Sequence, residues 1–241
     1  MRINKYISST GFCSRRMAEQ IVEEGRVLVN GERATISTPV NEGDVVCIDG
    51  KKVEPTQEYV YLILNKPVGI TCTTERHIEG NIIDYVNYPK RIFPVGRLDK
   101  DSCGLILLTN DGDLVNQALR EENGHSKEYE VEVNRQFDEH FLKQIAAGVK
   151  IYNPVSDSYV ITKPCTVRAN GSKRFTIVLK QGYNRQIRRM CSALGYKVRF
   201  LRRVRFINLT LKGLPQGKWR ECTSSEVSEL KKQTAFSKKA I

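Results

Sequence analysis

The segment Val95-Gly96-Arg97-Leu98-Asp99-Lys100-Asp101-Ser102-Cys103-Gly104-Leu105 crowds carboxylates and cations between two glycines, immediately before an apolar run. A loop so dense in charge at the mouth of a strand is a place where a scaffold can present reactive groups. An ordinary surface turn has the same composition, and residue type alone does not choose between Asp99 and Asp101. A second cluster follows at Gln181-Gly182-Tyr183-Asn184-Arg185-Gln186-Ile187-Arg188-Arg189-Met190-Cys191. Its periodicity predicts a helix over 184–194. At about 100° per residue, Ile187, Met190, Cys191 and Leu194 share one face, and Arg185 and Arg189 lie on the other. Arg188 sits at the boundary between the two, where it can reach a buried carboxylate. Such a helix buries its apolar stripe and presents guanidiniums beside its own amino terminus, which also favours anions. The cysteines include no CxxC pair and the histidines no spaced pair. Neither a disulfide framework nor a metal site is therefore expected.

The chain has 241 residues and a net charge of +12, which points to a polyanionic partner. Between Asp157 and Glu221 there is no acid at all, while sixteen Lys and Arg occur, Arg203 among them. A solvated face normally mixes both signs, so this stretch is read as a surface for phosphate backbones. No GxxxxGK[ST] phosphate loop is present. There is no run of about 18 apolar residues and no apolar stretch of signal-peptide length at the amino terminus. The sequence is read as that of a soluble, cytosolic protein with no membrane partner.

The elements that must hold these groups are also outlined. Ser14 can cap a helix on which Met17, Ala18, Ile21 and Val22 repeat, with Gly25 to close it. Val27 and Val29 run into the hairpin turn Asn30-Gly31, and a second short pair turns on Asp49-Gly50. Beyond a linker the pattern changes to longer strands, at Tyr59–Leu64, Gly104–Thr109 and Glu128–Val133, and at Phe175 to Leu179. Helices are expected at about Asp111–Arg120, at Phe141 to Ile145 capped by Asp138, and after a capping box at Thr223 and Glu226. The predicted organisation is a small module over 1–54, a linker over 55–60, a larger domain over 61–232 and a basic tail over 233–241. Strands and helices in no regular βαβ order indicate an α+β fold.

Gly96-Arg97-Leu98-Asp99-x-x-Ser102-x-Gly104-Leu105 resembles the catalytic motif of the RsuA/RluB/RluE/RluF family of ribosomal RNA pseudouridine synthases. Asn65-Lys66-Pro67-x-Gly69, Lys127-Glu128-Tyr129 and Gly182-x-Asn184-Arg185-Gln186-Ile187-Arg188-Arg189-Met190 resemble further family motifs, in the same order. The context Phe93-Pro94-Val95 and Asp99-Lys100-Asp101-Ser102 is most similar to the RluF subgroup. The amino-terminal module, with Arg2, Lys5-Tyr6, Cys13-Ser14-Arg15-Arg16, Gly25 and Val29-Asn30-Gly31, resembles an S4 RNA-binding domain.

The resemblance implies a catalytic domain with a mixed, mainly antiparallel sheet behind a small S4-like α/β domain. It implies Asp99 as the carboxylate that reacts with the target nucleotide, Tyr129 as the ring that stacks on the uracil, and Arg188 as the partner of Asp99. Arg97 would help displace the flipped base, and Arg2, Lys5, Arg15, Arg16, Lys66, Asn184, Arg185 and Arg189 would contact RNA. No metal or cofactor is implied. The substrate class is ribosomal RNA, with 23S favoured and transfer RNA open, and the enzyme would be a monomer. Whether the aspartate attacks the sugar C1′, adds to the uracil C6 or works through a glycal is not decided by the sequence. A different class also fits the basic stretch and the S4-like residues: a non-catalytic RNA-binding assembly factor, which would not need Asp99, Tyr129 and Arg188 together.

Overall fold

The computed structural model describes residues 1–56, 58–120 and 123–235. Residues 236–241 of the expected basic tail lie outside the described residues. The chain divides into two compact units, the first comprising Met1–Val60 with Tyr88–Ile92 and Asn110–Gly112, the second the remainder.

In the first unit, α1 (Ile3–Ser9) and α2 (Arg15–Glu23) precede β1 (Val27–Val29), β2 (Glu32–Arg33), β3 (Val46–Ile48) and β4 (Lys51–Lys52). The strands form an antiparallel sheet in the order β2-β1-β3-β4. Ser14 caps α2 by accepting from the Met17 amide at 3.2 Å. Asn30 and Gly31 both take positive φ, as a two-residue hairpin turn requires. Ala18, Ile21 and Val22 are buried against Ile3, Ile7, Val27, Val46 and Ile48. Met17 is instead exposed. On a helical wheel it stands roughly 90° from the centre of the face that the other three define, which is outside the stripe.

The second unit contains β5 (Tyr61–Lys66), α3 (Ile82–Val86), β6 (Phe93–Pro94), β7 (Cys103–Thr109), α4 (Gly112–Leu119), β8 (Lys127–Val133), α5 (Glu139–Ala147), β9 (Lys150–Asn153) and β10 (Ser158–Ile161). There follow β11 (Thr166–Ala169), β12 (Arg174–Leu179), α6 (Gln186–Ala193), β13 (Val198–Phe206), β14 (Leu209–Thr210), β15 (Trp219–Glu221) and α7 (Ser224–Ala235). One sheet runs β11-β12-β8-β13-β7-β5-β15, with β14 beside β13 and β6 beside β7. All its pairings are antiparallel except β13 with β7. The mixed, mainly antiparallel sheet is as expected. Two cores fill this unit: Val131, Phe141, Phe175, Ile177, Ile187 and Met190 belong to one, and Ile63, Leu105, Leu107, Leu114, Phe206 and Leu230 to the other.

Two differences from the sequence reading have clear causes. The first strand extends to Lys66, because Asn65 donates to the Leu214 carbonyl at 2.7 Å and the Lys66 ammonium is spent internally. The β9–β10 hairpin has no counterpart among the strands read from the sequence. It buries Ile151 but leaves Tyr152, Tyr159 and Ile161 exposed, so its apolar pattern does not mark a strand pair.

The acid-free stretch is not a uniform phosphate surface. The register of the sheet sets Arg174 against Glu132, Arg202 against Glu130 and Arg205 against Glu128, at 2.7, 3.8 and 2.8 Å. Acids absent from the local sequence arrive from β8. Arg203 is 2% exposed, donates to the Leu105 carbonyl at 2.7 Å and lies over the Phe206 ring, so it is a core residue and not a phosphate contact. Register shifts in β13 on either side of this region break the simple in–out alternation.

Candidate active site

The parallel contact between β13 and β7 positions the charged loop. Gly104 pairs with Arg203 and has φ +104°, and a Cβ there would lie 2.2 Å from the Arg203 carbonyl oxygen. Glycine therefore allows the two backbones to approach. Just upstream, the Ser102 amide donates to the Asp99 carbonyl at 3.0 Å, the Leu98 amide to the Cys72 sulfur at 3.4 Å, and the Gly69 amide to the Lys100 carbonyl at 2.8 Å. Three separate attachments thus fix the backbone on both sides of Asp99.

Lys66 supports that arrangement from below. It is fully buried, and its ammonium donates to the carbonyls of Pro67 and Ile70 at 2.9 and 2.8 Å. Burial pushes its pKa down. The expectation that Lys66 contacts RNA is therefore corrected: it closes the 67–70 loop, whose Gly69 in turn holds Lys100. An unpaired buried ammonium must find carbonyls nearby, and that requirement gives the lysine its structural use.

The second wall comes from the segment before α6. The helix begins at Gln186, and Arg185 ahead of it has φ 51° in the left-handed region. Gln186 closes the turn reciprocally: its amide donates to the Tyr183 carbonyl at 3.1 Å, and its side-chain oxygen accepts from the Tyr183 amide at 3.0 Å. Ile187, Met190 and Cys191 are buried as the periodicity required. Because Arg185 is not helical, a helical wheel misplaces it. Its guanidinium forks onto both oxygens of Asp101 at 3.1 and 2.9 Å and comes within 3.5 Å of Asp99. Arg188 donates to the Asp101 carbonyl and the Ser102 hydroxyl, both at 3.1 Å, and its Nε lies 3.9 Å from the Asp99 carboxylate. Arg188 is largely buried, whereas Asp99, the carboxylate it is expected to reach, keeps about a quarter of its side chain exposed, at 27%.

The structure now separates the two carboxylates. Asp101 is gripped by Arg185, with Arg188 also 3.4 Å from its carboxylate; the Arg185 hydrogen bonds, helped by the Arg188 charge, hold its pKa below the usual carboxylate range, and its side chain is half exposed. Asp99 lines a cavity of about 90 Å³ with Arg97, Tyr129, Gln181, Tyr183 and Ile187. Tyr129 is delivered by β8, paired in register with Ile177 on one side and Arg203 on the other. Arg97 is exposed at the same cavity. Asn184 and Arg189 bind each other, through the Arg189 Nε to the Asn184 carbonyl at 3.0 Å, and do not line the cavity. Arg2, Lys5, Arg15 and Arg16 belong to the first unit; Arg15 and Arg16 are exposed in the first turn of α2. Gln181, Tyr183 and Gln186 are cavity residues that the sequence reading did not assign; their signal is the Gly182 break between strand and helix.

The sequence matches the family described as RNA pseudouridylate synthase over residues 60–193 and the S4 domain over residues 1–46. It is 50% identical over 232 residues to the dual-specificity RNA pseudouridine synthase RluF of Escherichia coli K12, covering 95% of this chain and 78% of that protein. It is 33% identical to the ribosomal large subunit pseudouridine synthase B of Bacillus subtilis 168, covering 100% of this chain and 99% of the relative. A crystal structure of a pseudouridylate synthase superposes with a TM-score of 0.70 at 26% identity, over 95% of this chain and 99% of the other.

Proposed function

This chain belongs to the RNA pseudouridylate synthase family, and on that premise we propose that Asp99 is the carboxylate through which it isomerises uridine, with large-subunit ribosomal RNA as the substrate. The enzyme class follows from the family; the relatives compared above are synthases, and the non-catalytic assembly-factor reading loses its footing. The observation that carries the residue assignment is the cavity itself: Asp99 and Tyr129 line it together, with Arg185 and Arg188 at 3.5 and 3.9 Å from the Asp99 carboxylate.

The reaction breaks the N1–C1′ bond and joins C5 to C1′, while C5 gives up its hydrogen as a proton and N1 gains one. The cavity that holds Asp99 and Tyr129 is small, about 90 Å³, and opens to solvent. A base that leaves its stack can enter it while its backbone stays outside, and Arg97, exposed at the same cavity, would fill the vacated position. Tyr129 offers a stacking surface worth on the order of 1–3 kcal/mol. Arg185 and Arg188 hold the Asp99 charge in place as the sugar–base bond breaks. In the first unit, Arg2, Lys5, Arg15 and Arg16 would take RNA backbone, as would Asn184 and Arg189 in the second. The reading includes a cytoplasmic, monomeric enzyme. Its domain limits are those drawn from the sequence, residues 1–54 and 61–232.

Pseudouridine maps of total RNA from cells with and without the gene test this directly. A site lost from 23S ribosomal RNA, restored by the wild-type gene and not by Asp99→Asn, is the expected result. A lost site in transfer RNA alone would move the substrate, and restoration by Asp99→Asn would remove Asp99 from the chemistry.

A further inference from the structure

A second, larger cavity adjoins the first across Arg185, with a volume of about 550 Å³. Asp101, Arg185, Arg188, Tyr196, Lys197 and Arg199 are among its walls. Four of these six are cations. Lys197 and Arg199 are exposed, and among the described residues neither side chain has a carboxylate within ion-pair distance. The size is that of an ordinary ligand site.

Asp101 is the acid in this groove, and Arg185 grips it with two nitrogens at 3.1 and 2.9 Å. A guanidinium fork presents the same two parallel donors to a carboxylate and to a phosphate. Asp101 and Arg185 are 49% and 40% exposed, so their exchange for another anion needs no opening of the core. The groove suits a phosphate better than a base. Tyr196, the aromatic ring in its wall, is already covered by the Arg135 guanidinium at 4.6 Å and packs on Phe141 at 4.3 Å. Both contacts compete with a base for that ring.

We propose that this groove binds a backbone phosphate next to the target uridine, and that Asp101 occupies the Arg185 fork as an internal stand-in until RNA replaces it. The inference rests on the RNA-modifying reading above and goes beyond it in naming the subsite and its exchange. Asp101 is then a positioning residue. It keeps Arg185 extended between the two cavities in the free enzyme and so keeps that guanidinium from folding fully onto Asp99. When a phosphate takes the fork, the phosphate holds Arg185 in the same place.

The full-length protein is tested with ribosomal RNA isolated from cells lacking the gene, measuring affinity against salt concentration and pseudouridine formed. Lys197→Ala/Arg199→Ala is expected to weaken binding, to flatten the salt dependence by about one unit of log–log slope, and to raise KM more than it lowers kcat. Asp101→Asn removes the competing anion and should tighten binding two- to fivefold with a steeper salt dependence, the range expected from an exposed ion pair. A purely structural role for Asp101 would not steepen the salt dependence. Weaker or unchanged binding by Asp101→Asn overturns the stand-in, and an unchanged slope in the double variant overturns the groove. A wild type that neither binds nor modifies this RNA overturns both this inference and the substrate reading. Wild-type turnover with unaltered salt dependence in the variants overturns the groove alone.

Discussion

Replacing Arg188 with methionine removes the charge behind Asp99 while leaving a long side chain in its place. At 3.9 Å and an effective dielectric of about 20, the pair attracts by about 4 kcal/mol before desolvation is charged against it. Arg188 is 14% exposed and poorly screened, whereas Arg185, nearer at 3.5 Å, is 40% exposed and worth about 1 kcal/mol or less. If the Asp99 charge is needed while the sugar–base bond is open, losing half to all of that attraction lowers kcat by about 30- to 10³-fold. Arg185→Met should cost less than tenfold in kcat. Because the reaction expels the C5 hydrogen, tritium release from C5-labelled RNA under single-turnover conditions reads the step directly. Arg188 also donates to the Asp101 carbonyl and the Ser102 hydroxyl, so the variant should lose about 2 kcal/mol of stability and must be assayed well below its Tm. Arg188→Lys, charged but without the fork, should fall between. A rate for Arg188→Met within threefold of wild type, or an equal fall for Arg185→Met, would refute the reasoning.

Tyr129→Phe keeps the ring in its cavity and should retain RNA binding, while Tyr129→Leu should lose about tenfold or more in turnover; equal rates in the two would exclude stacking. Glu226 is held at a pKa of about 2, chiefly by its hydrogen bonds to Arg220, with desolvation opposing and the Thr223 amide adding to the effect. The depressed value means its stabilisation is full above about pH 4.5 and is lost as pH falls toward 2, up to about 3 kcal/mol in all. Urea midpoints of wild type and Glu226→Gln should differ at pH 7 and converge near pH 2, and a gap that persists at low pH contradicts the linkage. Gly104→Ala drives a Cβ to 2.2 Å from the Arg203 carbonyl and should destabilise the fold by about 3 kcal/mol or more; a urea midpoint near wild type would show that the strands can part there at little cost. Arg203→Ala should lower stability and leave the salt dependence of RNA binding alone, the opposite of what its place in a basic sequence stretch implies.

What the sequence made legible was local. Ser14 and the capping box at Thr223 and Glu226 form the bonds their spacing required, as does Asp138, which accepts from Phe141 at 2.9 Å. The apolar stripe of α6 is buried as its period demands. Long-range information was not legible. Nothing near Arg205 announces that Glu128 will neutralise it, because the pairing is set by sheet register across 77 positions. Asp99 and Asp101 are equivalent as residue types, and they part only once Arg185 leaves helical geometry and takes one of them in a bidentate grip. Lys66 was readable as a cation but not as a buried one, since its partners are backbone carbonyls, which residue types do not reveal.

The parallel pairing of β7 with β13 also orders events in time. The strand after the Asp99 loop is complete by Thr109, yet its parallel neighbour begins only at Val198, and the arginine contacts to Asp101 and Ser102 span 84 to 87 positions. During synthesis the reactive loop therefore emerges with its ties to Gly69 and Cys72 but well before the arginines that flank its carboxylates, while the amino-terminal module has all its strands within the first 52 residues. A growing chain passes through a stage at which the amino-terminal module is fully synthesised but the Asp99 centre still lacks Arg185 and Arg188. Closing so long a loop is slow, and chemistry is withheld until the last strands of the sheet are in place.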